Sequence, residues 1–209
     1  TSLIVVEQLG LDETVKVSAE VVRVDGEKQT LYKDEEISVL SLLKLMLIES
    51  SNDAAFAIAD HFKNATGKDM VQEMNDKARL LQMTETKFLD PAGLNDSAYS
   101  TVEDMTKLVR NAMAADIIWD ITTEKSTSVR SVDGKIEHKL ENTNQLFGVI
   151  PDVTGGKTGY TDNALGCMVL IVNIPGKNDK LVSIVIGSKD RFGDTQKLIN
   201  WVKSSYSWE

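Results

Sequence analysis

The strongest constraint on the fold is a change in hydrophobic pattern near residue 125. Before that point, apolar residues recur at helical spacing, and after it they form short runs of strand length separated by turn residues. Residues 38–48 are apolar on almost every side, which is typical of a helix at the centre of a helical lobe. Helices followed by a group of strands favour an α+β fold, with an antiparallel sheet flanked by helices and a cleft between two lobes.

The helical pattern places an amphipathic segment at the start of the chain and further helices downstream. Ser100 or Thr101, followed three residues later by Glu103 or Asp104, forms a capping-box start and predicts a helix that runs to about Ala115. The predicted helices are residues 3–9, 38–48, 54–62, 69–81 and 101–115. We expect one domain over residues 1–209, with a helical lobe at about 33–124 and a sheet lobe at about 1–32 and 125–209.

The strand pattern dominates the last third of the chain. Residues 165–174 and 181–188 are apolar runs joined by a loop short enough to predict adjacent antiparallel strands. A helix at 191–206 should then pack across them. Other extended segments are predicted at 126–132 and 136–140 around Asp133-Gly134, and at 13–32 around Asp25-Gly26.

Composition excludes several classes of function. A net charge of −9 over 209 residues argues against binding to nucleic acid or an anionic membrane, because both require a basic face. The single cysteine, Cys167, excludes a disulfide framework within the chain and is expected to be a buried thiol. His61 and His138 have no third ligand or nucleophile at a recognisable spacing, so no metal site and no cofactor are expected.

A lysine and a hydroxyl between glycines form the first candidate binding motif, in the segment Gly155 to Thr161. We place this segment at the end of a loop and the start of a strand. There, Lys157 and Thr158 could offer a cation, a donor and backbone amides to an anionic ligand. An ordinary strand start with a basic residue and glycines is the alternative interpretation of this segment alone.

The second motif is Ser50-Ser51-Asn52, in the break between two predicted helices. A tight loop between helices could aim the Ser50 hydroxyl and the Asn52 carboxamide at one point. The alternative is a plain helix cap, in which Ser51, Asn52 or Asp53 caps the helix that begins near Ala54. Both interpretations can hold for different residues of the same loop.

Taken together, these two motifs resemble the S-x-N and K-T-G elements of active-site-serine, penicillin-recognising enzymes. Other short segments in matching order extend the resemblance to the D-alanyl-D-alanine carboxypeptidase family, the low-molecular-mass penicillin-binding proteins. These segments are Asn52-Asp53-Ala54-Ala55, Met74-Asn75, residues 88–94 (FLDPAGL), Tyr99-Ser100-Thr101, Asp104-Met105, Asn142-Thr143-Asn144 and Arg191-Phe192. The resemblance implies the penicillin-binding protein or serine β-lactamase-like fold with an inserted helical lobe.

The resemblance also implies an extracytoplasmic enzyme that removes the terminal D-alanine from peptidoglycan stem peptides through an acyl-enzyme, is inhibited by β-lactams and uses no cofactor. In that family, Ser50 would relay protons or orient a lysine, and Asn52 would hold the substrate amide. Lys157 and Thr158 would bind the terminal carboxylate with help from Arg191. Gly159 completes the triplet, and the N–H of Tyr160 would supply half of an oxyanion hole.

The nucleophile is the main departure from the family pattern. The family's S-x-x-K motif precedes the segment that matches Thr1-Ser2-Leu3-Ile4, so we expect the nucleophilic serine and its lysine to be missing from this chain, and the chain alone to be inactive. The literal match at Ser41 and Lys44 arises from helical period alone, and we do not assign it. A separate N-terminal segment is therefore a possible partner, and without the family's early strands one sheet edge should be unpaired.

Two other functions remain open from sequence. A serine β-lactamase would need an added deacylating carboxylate, for which Glu141 is the candidate. A non-catalytic module that binds peptidoglycan or β-lactams would keep the cleft without the nucleophile.

Overall fold

The computed structural model describes residues 1–24, 30–174, 176–177 and 179–207. The predicted Asp25-Gly26 turn lies outside these residues. The helices are α1 (Ser2–Gln8), α2 (Val39–Ile48), α3 (Asn52–Thr66), α4 (Met70–Leu80), α5 (Val102–Ala112), α6 (Asp116–Thr123) and α7 (Arg191–Ser205). The strands are β1 (Thr14–Lys16), β2 (Glu36–Ser38), β3 (Ser126–Arg130), β4 (Glu137–Glu141), β5 (Val153–Thr161), β6 (Leu165–Asn173) and β7 (Lys180–Ser188). The predicted α+β class is confirmed.

Within the described residues, the strands form three antiparallel sheets. Two are hairpin-sized, β1 with β2 and β3 with β4, and the third has the order β5-β6-β7. The predicted pairing of β6 with β7 is confirmed, with Val169 opposite Ile184. As predicted, α7 packs against both of these strands. In this sheet β5 and β7 are the edge strands, so the Lys157 motif lies on an edge.

The segment that carries Lys157 differs from its prediction as the end of a loop. It lies inside the nine-residue strand β5, which pairs with β6 as far as Thr161. The glycines serve close packing here, because a Cβ at Gly155 would come 2.7 Å from Cε3 of Trp119. A Cβ at Gly156 would come 3.0 Å from the Val169 carbonyl oxygen. Glycine in a strand often marks such a close approach.

Helix α6 was missed by the sequence analysis, which left residues 116–124 without an element. It packs against β5 and α2. Its Trp119 is buried and donates its indole N–H to the Ala112 carbonyl at 2.8 Å, which joins α6 to the end of α5. The eight-residue length gives too few turns for a clear helical period.

The central helix α2 and the central strand β6 organise the core. Leu42, Leu43 and Leu45 of α2 are fully buried, as predicted for a helix that is apolar on almost every side. Strand β6 is covered on both faces, with Ile171 in the main cluster around α2, and Leu170 in a second cluster with Ile199 of α7. A strand buried on both faces shows a continuous apolar run instead of alternation.

The histidines and the cysteine have ordinary structural surroundings. His61 lies 2.8 Å from a Glu13 carboxylate oxygen, and the buried His138 lies 2.6 Å from Glu35. Cys167 is half-buried, so the prediction of a buried thiol is wrong. It sits opposite Gly159 in the sheet, where a Cβ on the glycine would lie 3.8 Å from the Cys167 Cβ.

The described part of the chain lacks two features that would indicate other classes of protein. No helix there is both long enough and apolar enough to cross a bilayer. No cluster of three or more histidine, cysteine, aspartate or glutamate residues there is arranged to hold a metal ion.

Candidate active site

The two adjacent serines between α2 and α3 have different environments. Ser51 is 1% exposed and caps α3 by accepting the Ala54 N–H at 3.1 Å. Its hydroxyl also donates to Asp53, whose carboxylate accepts the backbone N–H of Thr30 at 2.7 Å. The Ser51 side chain is therefore committed to the helix start, as the capping interpretation required.

Ser50 is the serine that faces the first motif, the segment of β5 that carries Lys157. Its backbone is in the left-handed region, with φ of 61°, which a non-glycine residue adopts at an energetic cost. This conformation turns the side chain away from the cap, and the Ser50 hydroxyl accepts a hydrogen bond from the Lys157 ammonium. Two motifs that are 107 residues apart in the chain thus meet in one site.

Lys157 is a partly buried cation on edge strand β5. Its Nζ donates to Ser50 Oγ and to the Thr158 carbonyl at 2.8 Å. Burial lowers the pKa of Lys157, and the positive charge of Arg191 acts in the same direction, so that together they bring the pKa to about 8. A bound anion would counter both effects, because an opposite charge nearby favours the protonated lysine.

Thr158 is buried, and its hydroxyl lies 2.6 Å from the hydroxyl of Thr143. The Thr143 backbone N–H donates to the Ile48 carbonyl at 3.1 Å, close to Ser50 in the chain. The turn at 142–144 therefore connects the end of α2 with β5. The sequence analysis missed Thr143 as a site residue, since the Asn-Thr-Asn match was the only signal for it.

Arg191 is the first residue of α7. Its guanidinium carbon lies 4.8 Å from the centre of the Phe192 ring and 5.8 Å from that of Tyr160. Its Nε is buried and has no hydrogen-bond partner among the described residues. Gly166 makes room for it, because a Cβ there would come 2.9 Å from the Arg191 Cβ.

The remaining predicted residues belong to the two motif segments, but they make no contacts that define a role. Asn52 is the first residue of α3, and its side chain makes no hydrogen bond within the described residues. Gly159 and Tyr160 are exposed towards the end of β5, and the Tyr160 hydroxyl lies 3.4 Å from Asp162. The roles of these three residues stay predictions.

The literal S-x-x-K match lies outside this cluster. Ser41 accepts a hydrogen bond from the Ser38 hydroxyl at 2.9 Å, and its backbone N–H is capped by the same side chain. Lys44 pairs with Glu124 at 2.8 Å. Within the described part of the chain, neither side chain forms a hydrogen bond or an ion pair with Ser50 or Lys157.

A separate cavity of about 710 Å³ lies elsewhere on the described structure. Apolar residues of α3, α4 and the loop at 89–91 line it, including Phe56, Met70 and Pro91. None of the predicted site residues borders this cavity.

Comparison with known proteins agrees with the motifs. The family described as D-alanyl-D-alanine carboxypeptidase matches residues 1–190. The chain is 30% identical over 215 residues to the D-alanyl-D-alanine carboxypeptidase DacF of Bacillus subtilis, covering 99% of this chain and 54% of that protein. It spans 54% to 67% of the length of the first curated relatives that it matches.

Solved structures show the same relationship. The D-alanyl-D-alanine carboxypeptidase from Mycobacterium tuberculosis H37Rv matches with a TM-score of 0.84 and 28% identity, over 98% of this chain and 79% of that one. Penicillin-binding protein D2 from Listeria monocytogenes, in its ampicillin-bound form, matches with a TM-score of 0.76 and 31% identity, over 95% and 80%. The predicted penicillin-binding protein fold is confirmed, and the chain belongs to the D-alanyl-D-alanine carboxypeptidase family.

Proposed function

We propose that the protein from which this chain comes is a serine-type D-alanyl-D-alanine carboxypeptidase that acts on peptidoglycan stem peptides outside the cytoplasm. The observation that carries this proposal is the hydrogen bond from Lys157 to Ser50, because it joins the two motifs in one site. Family membership supplies the reaction class, and the site supplies groups suited to it.

The reaction is nucleophilic catalysis through an ester. A serine Oγ attacks the carbonyl of the penultimate D-alanine, the terminal D-alanine leaves as its amine takes up a proton, and water hydrolyses the ester. We place the nucleophile and its activating lysine in a part of the parent protein outside residues 1–209, so we expect the 209-residue chain alone to be inactive. Ser50 would pass the proton towards the leaving amine, since its hydroxyl can both accept from Lys157 and donate onward.

The substrate carboxylate would be bound by Lys157, Thr158 and Arg191. Lys157 offers an ammonium, Thr158 a hydroxyl, and Arg191 a buried Nε that lacks a partner in the described structure. A carboxylate removed from water is stabilised by such charge-assisted hydrogen bonds. The same groups would bind the carboxylate of a β-lactam, and we propose β-lactams as covalent inhibitors of the parent protein.

Substitution of the two lysines in the parent protein tests this assignment. We expect Lys157→Ala to lower the rate of acylation by a fluorescent penicillin by about 100-fold or more, because it removes a charge that acts on the bound ligand. Lys44→Ala is the matched control and should leave the rate within about threefold, since Lys44 pairs with Glu124 outside the cluster.

The measurement is the acylation rate constant of each variant, with circular dichroism to check folding. An equal loss in two folded variants would contradict the placement of the site. A rapid turnover of the adduct, instead of a stable one, would favour the β-lactamase alternative.

A further inference from the structure

Thr143 lies beside Thr158 in a turn whose shape does not depend on its own hydroxyl. The Asn142 side chain donates to the carbonyls of Thr122 and Glu124, both at 3.0 Å. Its oxygen accepts the Asn144 N–H at 2.9 Å. These contacts anchor the turn to the end of α6, so the conformation of the turn does not require the Thr143 hydroxyl.

The backbone of Thr143 fixes the turn against the Ser50 loop. Its N–H donates to the Ile48 carbonyl at 3.1 Å, near the C-terminal end of α2. Just before this turn, at the end of β4, the backbone N–H of Glu141 donates to a Glu49 carboxylate oxygen at 3.2 Å. Thr143 is therefore held between the helix that leads to Ser50 and the strand that carries Thr158.

Either hydroxyl of the Thr143–Thr158 pair can be the hydrogen-bond donor, and a bound ligand would determine which one donates. The Thr143 and Thr158 oxygens lie 2.6 Å apart, so one hydrogen occupies the space between them. Each hydroxyl has one proton to donate. A carboxylate has only acceptors, so a Thr158 that binds it must donate its proton to the ligand, and Thr143 must then be the donor within the pair. A hydroxyl that accepts a hydrogen bond is itself a stronger donor.

We propose that Thr143 is a positioning residue: its hydroxyl donates to Thr158 and thereby directs the Thr158 proton to the carboxylate of the ligand. This inference rests on the proposed function, because it specifies how that site recognises a carboxylate. Thr143 itself does not touch the reacting atoms. It acts through Thr158 and sets the preference for ligands with a free carboxylate.

The test compares variants of the full-length parent protein. Thr143→Val removes the hydroxyl at nearly constant shape, and Thr143→Ser keeps it. Thr106→Val is the matched control, because the exposed Thr106 hydroxyl on α5 donates to the Val102 carbonyl of its own helix at 2.8 Å and has no other hydrogen-bond partner among the described residues. Acylation rates are measured with a penicillin and with its methyl ester.

We expect Thr143→Val to slow acylation by the penicillin about tenfold, mainly through weaker initial binding, and to leave the methyl ester within about twofold. Thr143→Ser should restore the penicillin rate, and Thr106→Val should change neither. In a Thr158→Val background, Thr143→Val should have no further effect, since the Thr158 hydroxyl through which Thr143 acts is then absent.

Equal slowing of penicillin and ester by Thr143→Val, failure of the serine variant to restore the rate, or an undiminished effect in the Thr158→Val background would each overturn the inference. If the unmodified protein is not acylated at all, the proposed function fails separately. The same variants are then titrated by NMR with a peptide ending in D-alanine and with its C-terminal amide. Loss of the preference for the carboxylate in Thr143→Val supports positioning, and an unchanged preference contradicts it.

Discussion

Ser50 and Ser51 are adjacent residues of the same type, and tertiary contacts give them separate roles. The cap at Ser51 could be predicted from local chemistry, because Ser51 accepts the N–H of Ala54 within one helical turn. The exposure of Ser50 to Lys157 could not, since the contact joins residues far apart in the chain. Before the structure, only the resemblance to the family indicated that Ser50, and not Ser51, belongs to the site.

At the same scale, Lys157 predicts how ligand binding depends on pH. Because its pKa is lowered to about 8, the cation is mostly present at pH 7 and mostly lost near pH 9. Binding of a carboxylate ligand should weaken as pH rises through about 8, approaching tenfold per pH unit above it. The sign follows from the ammonium, which carries the attraction only when protonated.

The measurement is ligand affinity of the parent protein between pH 6.5 and 9.5, with Lys157→Arg as the control that stays charged. A profile that is flat for the unmodified protein and for the arginine variant would show that the lysine does not titrate in this range. A bound carboxylate raises the pKa of Lys157, so at a higher ligand concentration the fraction of protein bound should fall at a higher pH.

Among the elements, β5 and α6 show where sequence patterns are ambiguous. The glycines of β5 predicted a loop because glycine most often marks turns, whereas here they allow Trp119 and the neighbouring strand to approach closely. The helices α2 and α4, by contrast, begin beside their predicted starts, with Ser38 and Asp69 as N-caps. Capping and periodicity are local, but the space available beside a glycine depends on the rest of the fold.

This packing predicts the effect of adding a methyl group to β5. Gly155→Ala should lower the free energy of unfolding by about 1–3 kcal/mol, because the new Cβ would overlap the rigid Trp119 ring. Gly159→Ala is the control and should change stability by less than about 1 kcal/mol, since its nearest neighbour is the Cys167 Cβ at 3.8 Å.

Urea unfolding followed by tryptophan fluorescence measures both variants. Equal stability of Gly155→Ala and the unmodified chain would mean that α6 can move away from β5 without cost.

For the whole molecule, the order of elements determines how the site is assembled. The class and the antiparallel pair β6 and β7 could be predicted, because long apolar runs joined by a short loop allow few arrangements. The meeting of the α2–α3 loop with edge strand β5 could not be predicted from periodicity. It depends on α6 and the turn at 142–144, which lie between them and gave weak or no sequence signals.

We propose that this chain supplies the Ser50, Lys157 and Thr158 side of a serine acyl-transfer site, and that the nucleophile belongs to a part of the parent protein outside residues 1–209. Intact-mass spectrometry after incubation with a penicillin, followed by peptide mapping, tests it most directly. We predict a stoichiometric adduct on a serine outside residues 1–209 in the parent protein, and no adduct on the 209-residue chain alone. A stoichiometric adduct on the isolated chain, mapped to Ser41 or Ser50, would contradict the claim.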